Sequence, residues 1–183
     1  LGRDLHALPR GELRRARRDL QIVFQDPLAS LNPRMTIGES IAEPLRVHEP
    51  GLGGAEIERR VVEMLAAVGL GEGLLNRYPH EFSGGQCQRV GIARAMILGP
   101  KLVVCDEPVS ALDVSVQGQI VNLLLELQRS RGTALVFISH NLAVVRRVCQ
   151  RVLVMYLGRV MELATREALY ASPRHPYTRL LLD

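Results

Sequence analysis

Residues 81–95 read EFSGGQCQRVGIARA, and this run has the composition of a helix start that holds an anion. Ser83 is a good N-cap residue, and Gly84 and Gly85 have no side chain that would keep a ligand from the backbone. The first N–H groups of a helix have no internal acceptor and carry the positive end of the helix dipole, so a phosphate is the natural ligand. Considered alone, the run also fits an ordinary capped helix. The helix itself is indicated by apolar residues at helical spacing: Val90, Ile92, Ala93, Met96 and Ile97.

Composition indicates a globular chain without a membrane span. Apolar residues make up 47% of the 183 positions, and no apolar run approaches the roughly 20 residues that cross a bilayer. The three cysteines lack C-x-x-C spacing, which fits a reducing compartment and gives no indication of a metal site. The net charge is +4, and the densest basic cluster (Arg14, Arg15, Arg17 and Arg18) has no interleaved aromatic residues. We therefore interpret the cluster as a solvated helix face and expect no nucleic-acid partner.

The first half of the chain predicts one strand followed by a helical insertion. Residues 20–24 form an apolar run that ends at Gln25, whereas residues 26–82 show only loop and helix patterns. Thr36 and Glu39 have the spacing of a capping box, and we expect Pro44 to end the helix that they open. Residues 55–68 predict an amphipathic helix that Gly69 closes.

The second half alternates between strands and helices. The apolar runs 102–105 and 134–138 are typical of buried parallel strands, and 152–156 predicts a third strand with an antiparallel partner at 160–163. Helices are predicted over 114–129 and 141–148, and Thr165 caps a short one. This order indicates an α/β domain with a largely parallel sheet.

Polar residues follow three of the predicted strands: Gln25, then Asp106 with Glu107, then His140. The carboxyl ends of parallel strands share one edge, so we expect these side chains to converge there. Asp106 then suits Mg²⁺, with Gln25 reaching the metal or a water, and Glu107 can orient an attacking water. His140 can donate a hydrogen bond to a terminal phosphate. Each residue alone is also explained by a turn, a structural histidine or a solvated glutamine.

Taken together and in this order, these runs resemble the ATP-binding subunit of an ABC transporter. The resemblance covers essentially the whole chain. It implies a catalytic role for Glu107, Gln25 and His140, with metal binding by Asp106 and Gln25. The matching motifs are the Walker B strand at 102–106, the Q-loop Gln25, the H-loop His140, the signature loop Ser83-Gly84-Gly85-Gln86 (residues 83–86) and the D-loop Ser110-Ala111-Leu112-Asp113 (residues 110–113).

Two further runs narrow the resemblance to the oligopeptide and dipeptide importer branch, which includes nickel and glutathione relatives. They are residues 25–34 and His175-Pro176-Tyr177-Thr178. The fold implied is α/β: an incomplete RecA-like P-loop NTPase core, mainly a parallel sheet with flanking helices, plus an inserted helical subdomain. We expect the partial core at 1–25 and 99–164, the helical subdomain at 26–98 and the start of a C-terminal extension at 165–183.

The resemblance also implies cofactors and partners. ATP and Mg²⁺ would be bound between two subunits packed head to tail, with the signature loop and Asp113 of one facing the nucleotide of the other. The helical subdomain would dock transmembrane permease subunits, which in turn work with a solute-binding protein. The implied location is the cytoplasmic face of the cell membrane, as a peripheral subunit.

One family motif is missing from these 183 residues. The phosphate-gripping sequence G-x-x-x-x-G-K-[S/T] does not occur, and the single lysine, Lys101, lies just before a strand. We therefore expect a truncated nucleotide-binding domain with weak ATP binding and an exposed sheet edge. Cys87 replaces a longer polar residue of the family and would be oxidisable if exposed. The alternatives are a non-catalytic binding or regulatory module and an ABC-type ATPase of DNA repair, although the latter carries a long coiled coil for which no heptads are seen here.

Overall fold

The computed structural model describes residues 4–183, which form two compact units with a boundary between Ile138 and Ser139. The first three residues of the predicted core segment 1–25 lie outside this range. The predicted division into core, helical subdomain and extension places its last boundary at 165 and stays a prediction. In the first unit the elements are α1 (Arg10–Asp19), β1 (Leu20–Val23), α2 (Ile37–His48), α3 (Gly54–Ala67), α4 (Gly84–Met96), β2 (Leu102–Asp106), α5 (Val114–Arg131) and β3 (Ala134–Ile138), with short 3₁₀ turns at Leu5–Ala7, Glu72–Leu74 and Pro79–Glu81.

The sheet of the first unit is parallel, in the order β1-β2-β3. Its register places Val23 beside Cys105 and Cys105 beside Phe137. The carboxyl ends of the three strands therefore meet at one edge, as the sequence predicts for a sheet that binds a ligand at that edge.

The prediction that β3 is a buried strand is wrong. Val103 and Cys105 of β2 are fully buried, but Val136 and Ile138 of β3 are each 47% exposed. The reason is that these side chains lie on a face of the sheet that the helices of this unit leave open, together with Ile22 of β1, which is 44% exposed. The unbroken apolar run of β3 shows that the side chains on both faces of the strand are suited to burial. It does not show which face of the sheet the helices of this unit cover.

Residues between β1 and β2 contain helices and turns and no strand, as predicted. Helices α2, α3 and α4 pack against one another through fully buried side chains, among them Ile41, Leu65 and Ile92. The capping box of α2 is confirmed: the Glu39 amide donates to Thr36 Oγ1 over 3.2 Å, and the Thr36 amide donates to Glu39 Oε2 over 2.8 Å. Gly69 closes the turn after α3 with a φ of 72°.

The prediction that Pro44 ends α2 is wrong, because the helix continues to His48. Proline removes one backbone hydrogen bond from a helix and disfavours the helix interior, but burial of neighbouring side chains can offset that cost. Ile41 and Leu45 flank Pro44 and are both completely buried. Burial of these side chains therefore outweighs the missing hydrogen bond.

The second unit contains α6 (Leu142–Val148), β4 (Arg151–Tyr156), β5 (Arg159–Thr165), α7 (Arg166–Ala171) and α8 (Pro176–Leu182). β4 pairs with β5 in an antiparallel hairpin, as predicted, but it does not join the parallel sheet as the predicted third strand should. The hairpin is closed by a tight turn at Leu157 and Gly158, whose φ values of 46° and 75° suit a two-residue connection. Thr165 caps α7, since its Oγ1 accepts from the Ala168 amide.

Candidate functional site

The signature loop begins α4 with a complete capping box. The Gln86 amide donates to Ser83 Oγ over 3.3 Å, and the Ser83 amide donates to Gln86 Oε1 over 3.0 Å. Ser83 and Gly84 are exposed. The amides of Gly84 and Gly85 belong to the first turn, where position in the helix provides no backbone acceptor. The predicted cap is confirmed, and the first turn presents its amides at an accessible helix start.

Two arginines fix α4 from the side. Arg94 donates from Nη1 to the Ser30 carbonyl over 2.6 Å, which ties the helix to the loop that follows Gln25. Burial lowers the pKa of Arg94, and Glu43 opposes that shift. Arg89 donates from Nη1 to the Val68 carbonyl over 2.7 Å and from Nη2 to Gln119 Oε1 over 3.1 Å. These bonds hold the signature helix between the Q-loop segment and α5.

At the carboxyl edge of the sheet, Gln25 and Glu107 are in direct contact. Gln25 Nε2 donates to Glu107 Oε2 over 3.2 Å, although the residues are 82 positions apart. Glu107 has a φ of 43°, and its amide donates to the Ile138 carbonyl over 3.0 Å. A left-handed φ is unfavourable for a residue with a side chain and is often retained at functional sites. The structure therefore brings together two of the four residues predicted to converge at this edge.

The other two residues are placed by the strands that precede them. Asp106 is the last residue of β2, is exposed, and pairs in register with Ile138 of β3. His140 follows Ile138 by two positions and belongs to the second unit. Its role at the edge stays a prediction.

The D-loop folds back on Glu107. Ser110 Oγ donates to the Glu107 carbonyl over 3.0 Å, and the Leu112 carbonyl accepts from Gln117 Nε2 over 2.9 Å. Asp113 occupies the N-cap position of α5 and is exposed, and its carboxylate makes no capping hydrogen bond to that helix. That carboxylate is therefore presented at the surface, at the end of the D-loop.

The oxygen donors at this edge could hold Mg²⁺ only together with further ligands from phosphate and water. Within residues 4–183, no group of three or more His, Cys, Asp or Glu side chains could hold a metal ion. Mg²⁺ is typically held by one or two protein oxygens together with substrate phosphates and water. Asp106 and the amide oxygen of Gln25 are donors of that kind.

Two sequence expectations about single side chains are settled by contacts. Lys101 precedes β2, at the end of the parallel sheet opposite its carboxyl edge, and forms a 2.6 Å ion pair with Asp19, so it does not substitute for a phosphate-binding lysine at that edge. Cys87 is 1% exposed, and burial raises the pKa of its thiol. Its predicted oxidation, which depended on exposure, is therefore not expected in the folded chain.

The run His175-Pro176-Tyr177-Thr178 is held by a buried carboxylate. Glu162 of β5 accepts from the amides of Arg174 and His175, each over 3.0 Å. These hydrogen bonds, with the one from His175 first, lower the pKa of Glu162 to about 2. Glu162 therefore anchors the start of α8 to the hairpin. Glu162 interrupts an apolar strand, and this signal could have identified it in the sequence.

Sequence reasoning also missed the arginines on α4 and their partners. Arg94 stands between the buried Ala93 and Ala95, and an arginine inside an apolar helix face is a signal for a buried hydrogen-bond role. No comparable signal in the sequence indicates Gln119, because its contact with Arg89 depends on how α5 approaches α4.

Comparison with known proteins gives a consistent result. The sequence model of the ABC transporter family matches residues 1–110. The chain is 61% identical over its full length to the oligopeptide transport ATP-binding protein OppF of Salmonella typhimurium. It is 56% identical over 181 residues, 99% of its length, to the glutathione import ATP-binding protein GsiA of Salmonella paratyphi A. It spans 55% of the length of OppF and 29% of that of GsiA.

Solved structures confirm the predicted fold class. The post-hydrolysis dimer of the ATP-binding cassette MJ0796, bound to ADP and Pi, is 33% identical with a TM-score of 0.76 and matches 87% of this chain and 68% of its own. The protein cbiO1 from Clostridium perfringens, part of the ABC transporter complex cbiONQ, is 30% identical with a TM-score of 0.79 and matches 90% and 64%. None of the helices in residues 4–183 has the length and apolarity needed to cross a membrane.

Proposed function

The chain belongs to the ABC transporter family, and we propose that it is part of an ATP-binding and ATP-hydrolysing subunit that powers peptide import. The branch is supported by the 61% identity to OppF and the 56% identity to GsiA. In this proposal the subunit is peripheral, on the cytoplasmic face of the cell membrane. Its residues 26–98 dock the permease subunits, through which a solute-binding protein delivers peptides.

The observation that carries the proposal is the hydrogen bond from Gln25 to Glu107. A carboxylate held at the carboxyl edge of a parallel sheet is placed where such sheets bind ligands. The Gln25 amide orients the carboxylate of Glu107 through its Oε2 atom. In this proposal Glu107 orients the water that attacks the terminal phosphorus of ATP and accepts the proton that the water loses. The bond from that phosphorus to the oxygen shared with the β-phosphate breaks, and ADP leaves with that oxygen.

The remaining residues stabilise the charge of the phosphates. Asp106, with the Gln25 oxygen, would hold Mg²⁺, which supplies charge neutralisation at the phosphates when bound. His140 donates a hydrogen bond to a terminal phosphate oxygen. The signature loop binds the triphosphate of a second subunit packed head to tail, through Ser83 and the amides of Gly84 and Gly85. Gln86 holds Ser83 in place, and Asp113 lies at the same interface.

A P-loop from outside residues 1–183 completes the site in this proposal, since none occurs within them. The alternative of a DNA-repair ATPase is disfavoured because the longest helix between Gln25 and Ser83 in the described residues has 14 residues, too short for a long coiled coil. The experiment must therefore distinguish an ATP-hydrolysing subunit from a non-catalytic module.

The test uses the complete subunit that carries this chain, assembled with its permease partners in membrane vesicles. We expect ATP-dependent peptide uptake, loss of both uptake and ATP hydrolysis in Glu107→Gln, and unchanged uptake in Glu126→Gln, a substitution at an exposed site on α5. Uptake that persists in Glu107→Gln, or an unsubstituted complex that binds ATP without hydrolysing it, would contradict the proposal.

A further inference from the structure

We propose that Val116 and Gln119 of α5 are positioning residues that set the signature loop relative to the D-loop of the same chain, so that the two loops move as one body. The inference rests on the proposed function, and it concerns contacts that lie within one subunit. It adds a mechanical link between two loops that, in the proposed function, both face the nucleotide of the partner subunit.

The first contact is at Gly85. A Cβ atom built on Gly85 would lie 2.7 Å from Val116 Cγ1, a distance that real side chains do not tolerate. The methyl group of Val116 therefore occupies the place of the missing side chain. Gly84 differs: its Cβ would lie 3.6 Å from Leu112 Cδ2, an ordinary van der Waals contact. The need for glycine at position 85 thus arises from α5 and not only from the approach of a ligand.

The second contact lies one turn further along both helices. Arg89 of α4 donates to Gln119 Oε1 and to the Val68 carbonyl at the end of α3. Gln119 is three positions after Val116, so the two side chains lie on the same side of α5. The apolar contact at Gly85 and the polar contact at Arg89 together restrict both sliding and rotation of α4 against α5.

The start of α5 is in turn continuous with the D-loop and with Glu107. Gln117 Nε2 binds the Leu112 carbonyl, and Ser110 Oγ binds the Glu107 carbonyl. The amides of Val116 and Gln117 donate to the Asp113 carbonyl, each over 2.9 Å. Short hydrogen bonds therefore connect Glu107, the D-loop and the first turn of α5, and Val116 extends this series to Gly85. A shift of the D-loop by a partner subunit would be transmitted to the signature loop through α5.

The experiment is a rescue in the complete subunit with its permease partners. Gly85→Ala should lower kcat for ATP hydrolysis and ATP-dependent subunit association on the order of 10–100-fold, because the new methyl group pushes the loop away from α5. Adding Val116→Ala removes the clashing methyl and should return both readouts to within about threefold of Val116→Ala alone. If Gly85 serves only ligand approach, Val116→Ala will not rescue it.

Matched variants separate positioning from general destabilisation. Gly84→Ala should show no interaction with Val116→Ala, and Gly118→Ala, where a Cβ meets nothing within 4 Å, should match the unsubstituted subunit. Gln119 is exposed, so Gln119→Ala should lower kcat with little change in KM or in the thermal midpoint. Gln119→Glu keeps an acceptor for Arg89 and should restore kcat.

The outcomes are distinguishable. An unsubstituted subunit without ATP-dependent association overturns the proposed function. An active subunit in which Val116→Ala fails to rescue Gly85→Ala overturns this inference alone. If Gly85→Ala does not fold, the comparison of Gln119→Ala with Gln119→Glu tests the inference. Equal kcat values for Gln119→Ala, Gln119→Glu and the unsubstituted subunit would then overturn it.

Discussion

Arg94 Nη1 lies 2.6 Å from the carbonyl oxygen of Ser30, which places a half-buried guanidinium between the signature helix and the loop after Gln25. The two residues are 64 positions apart. One side chain thus fixes the distance between two segments that are proposed to contact two different nucleotides, one held at the sheet edge of this subunit and one held by its partner.

Replacing Arg94 with methionine should destabilise the first unit. The Ser30 carbonyl would lose its charged donor, and a partly buried group left without its partner costs about 1–3 kcal/mol. Urea unfolding of Arg94→Met measures the change, with the exposed Arg129→Met as control. Equal midpoints for the two variants would show that the hydrogen bond contributes nothing.

Glu107→Gln should reduce ATP hydrolysis by the complete subunit on the order of 10²–10⁴-fold, the usual contribution of a general base. The amide keeps the size of the carboxyl group but cannot polarise water in the same way. Nucleotide-dependent association should persist, because the charge on Glu107 is not needed for binding. Phosphate release and light scattering report the two properties separately, and loss of both together would place Glu107 in binding instead.

The chain of 183 residues should bind Mg-ATP weakly or not at all. Its signature loop and Asp113 supply one side of a nucleotide site, and no P-loop sequence is present among these residues to supply the other. Isothermal titration with Mg-ATP is the direct measurement, and Mg-ADP is the control. Saturable binding in the micromolar range would contradict the expectation.

Acid should weaken the second unit through Glu162. Its folded pKa of about 2 lies below its ordinary value of 4.5, so its contribution to stability is fully present above pH 4.5 and is lost as the pH falls from there toward 2. Glu162→Gln should therefore unfold at lower denaturant than the unsubstituted chain at pH 7, and the difference should shrink between pH 4.5 and 2. Denaturant midpoints at several pH values test this. Glu58→Gln is the control, and a difference that does not change with pH would contradict the assignment.

Local chemistry made part of this structure predictable. The capping residues Thr36 and Ser83 have their hydrogen-bond partners three positions later in the sequence, so these caps do not depend on distant segments of the chain. Strands β1 and β2 end where polar residues begin, so Gln25 and Glu107 could be assigned to one edge before their contact was seen. The family could likewise be inferred from the order of the motifs.

Features that depend on packing between distant segments were less predictable. Pro44 is a helix breaker by local rules, but buried neighbours keep α2 intact through it. The exposure of Val136 depends on which face of the sheet the helices cover, and the strand sequence does not determine this. The contact between Gly85 and Val116 depends on the distance between α4 and α5, and no short motif encodes that distance.

Because Cys87 is buried, the reactivity of its thiol reports local opening of the folded chain around α4. A thiol reagent can reach its sulfur only when the first turns of α4 separate from Pro79, whose carbonyl lies 3.5 Å from Sγ. The rate of labelling at this position therefore measures how often the signature helix detaches in the otherwise folded molecule. Because Cys105 sits in the central strand and is fully buried, the ratio of the two labelling rates separates local detachment of one helix from unfolding of the sheet.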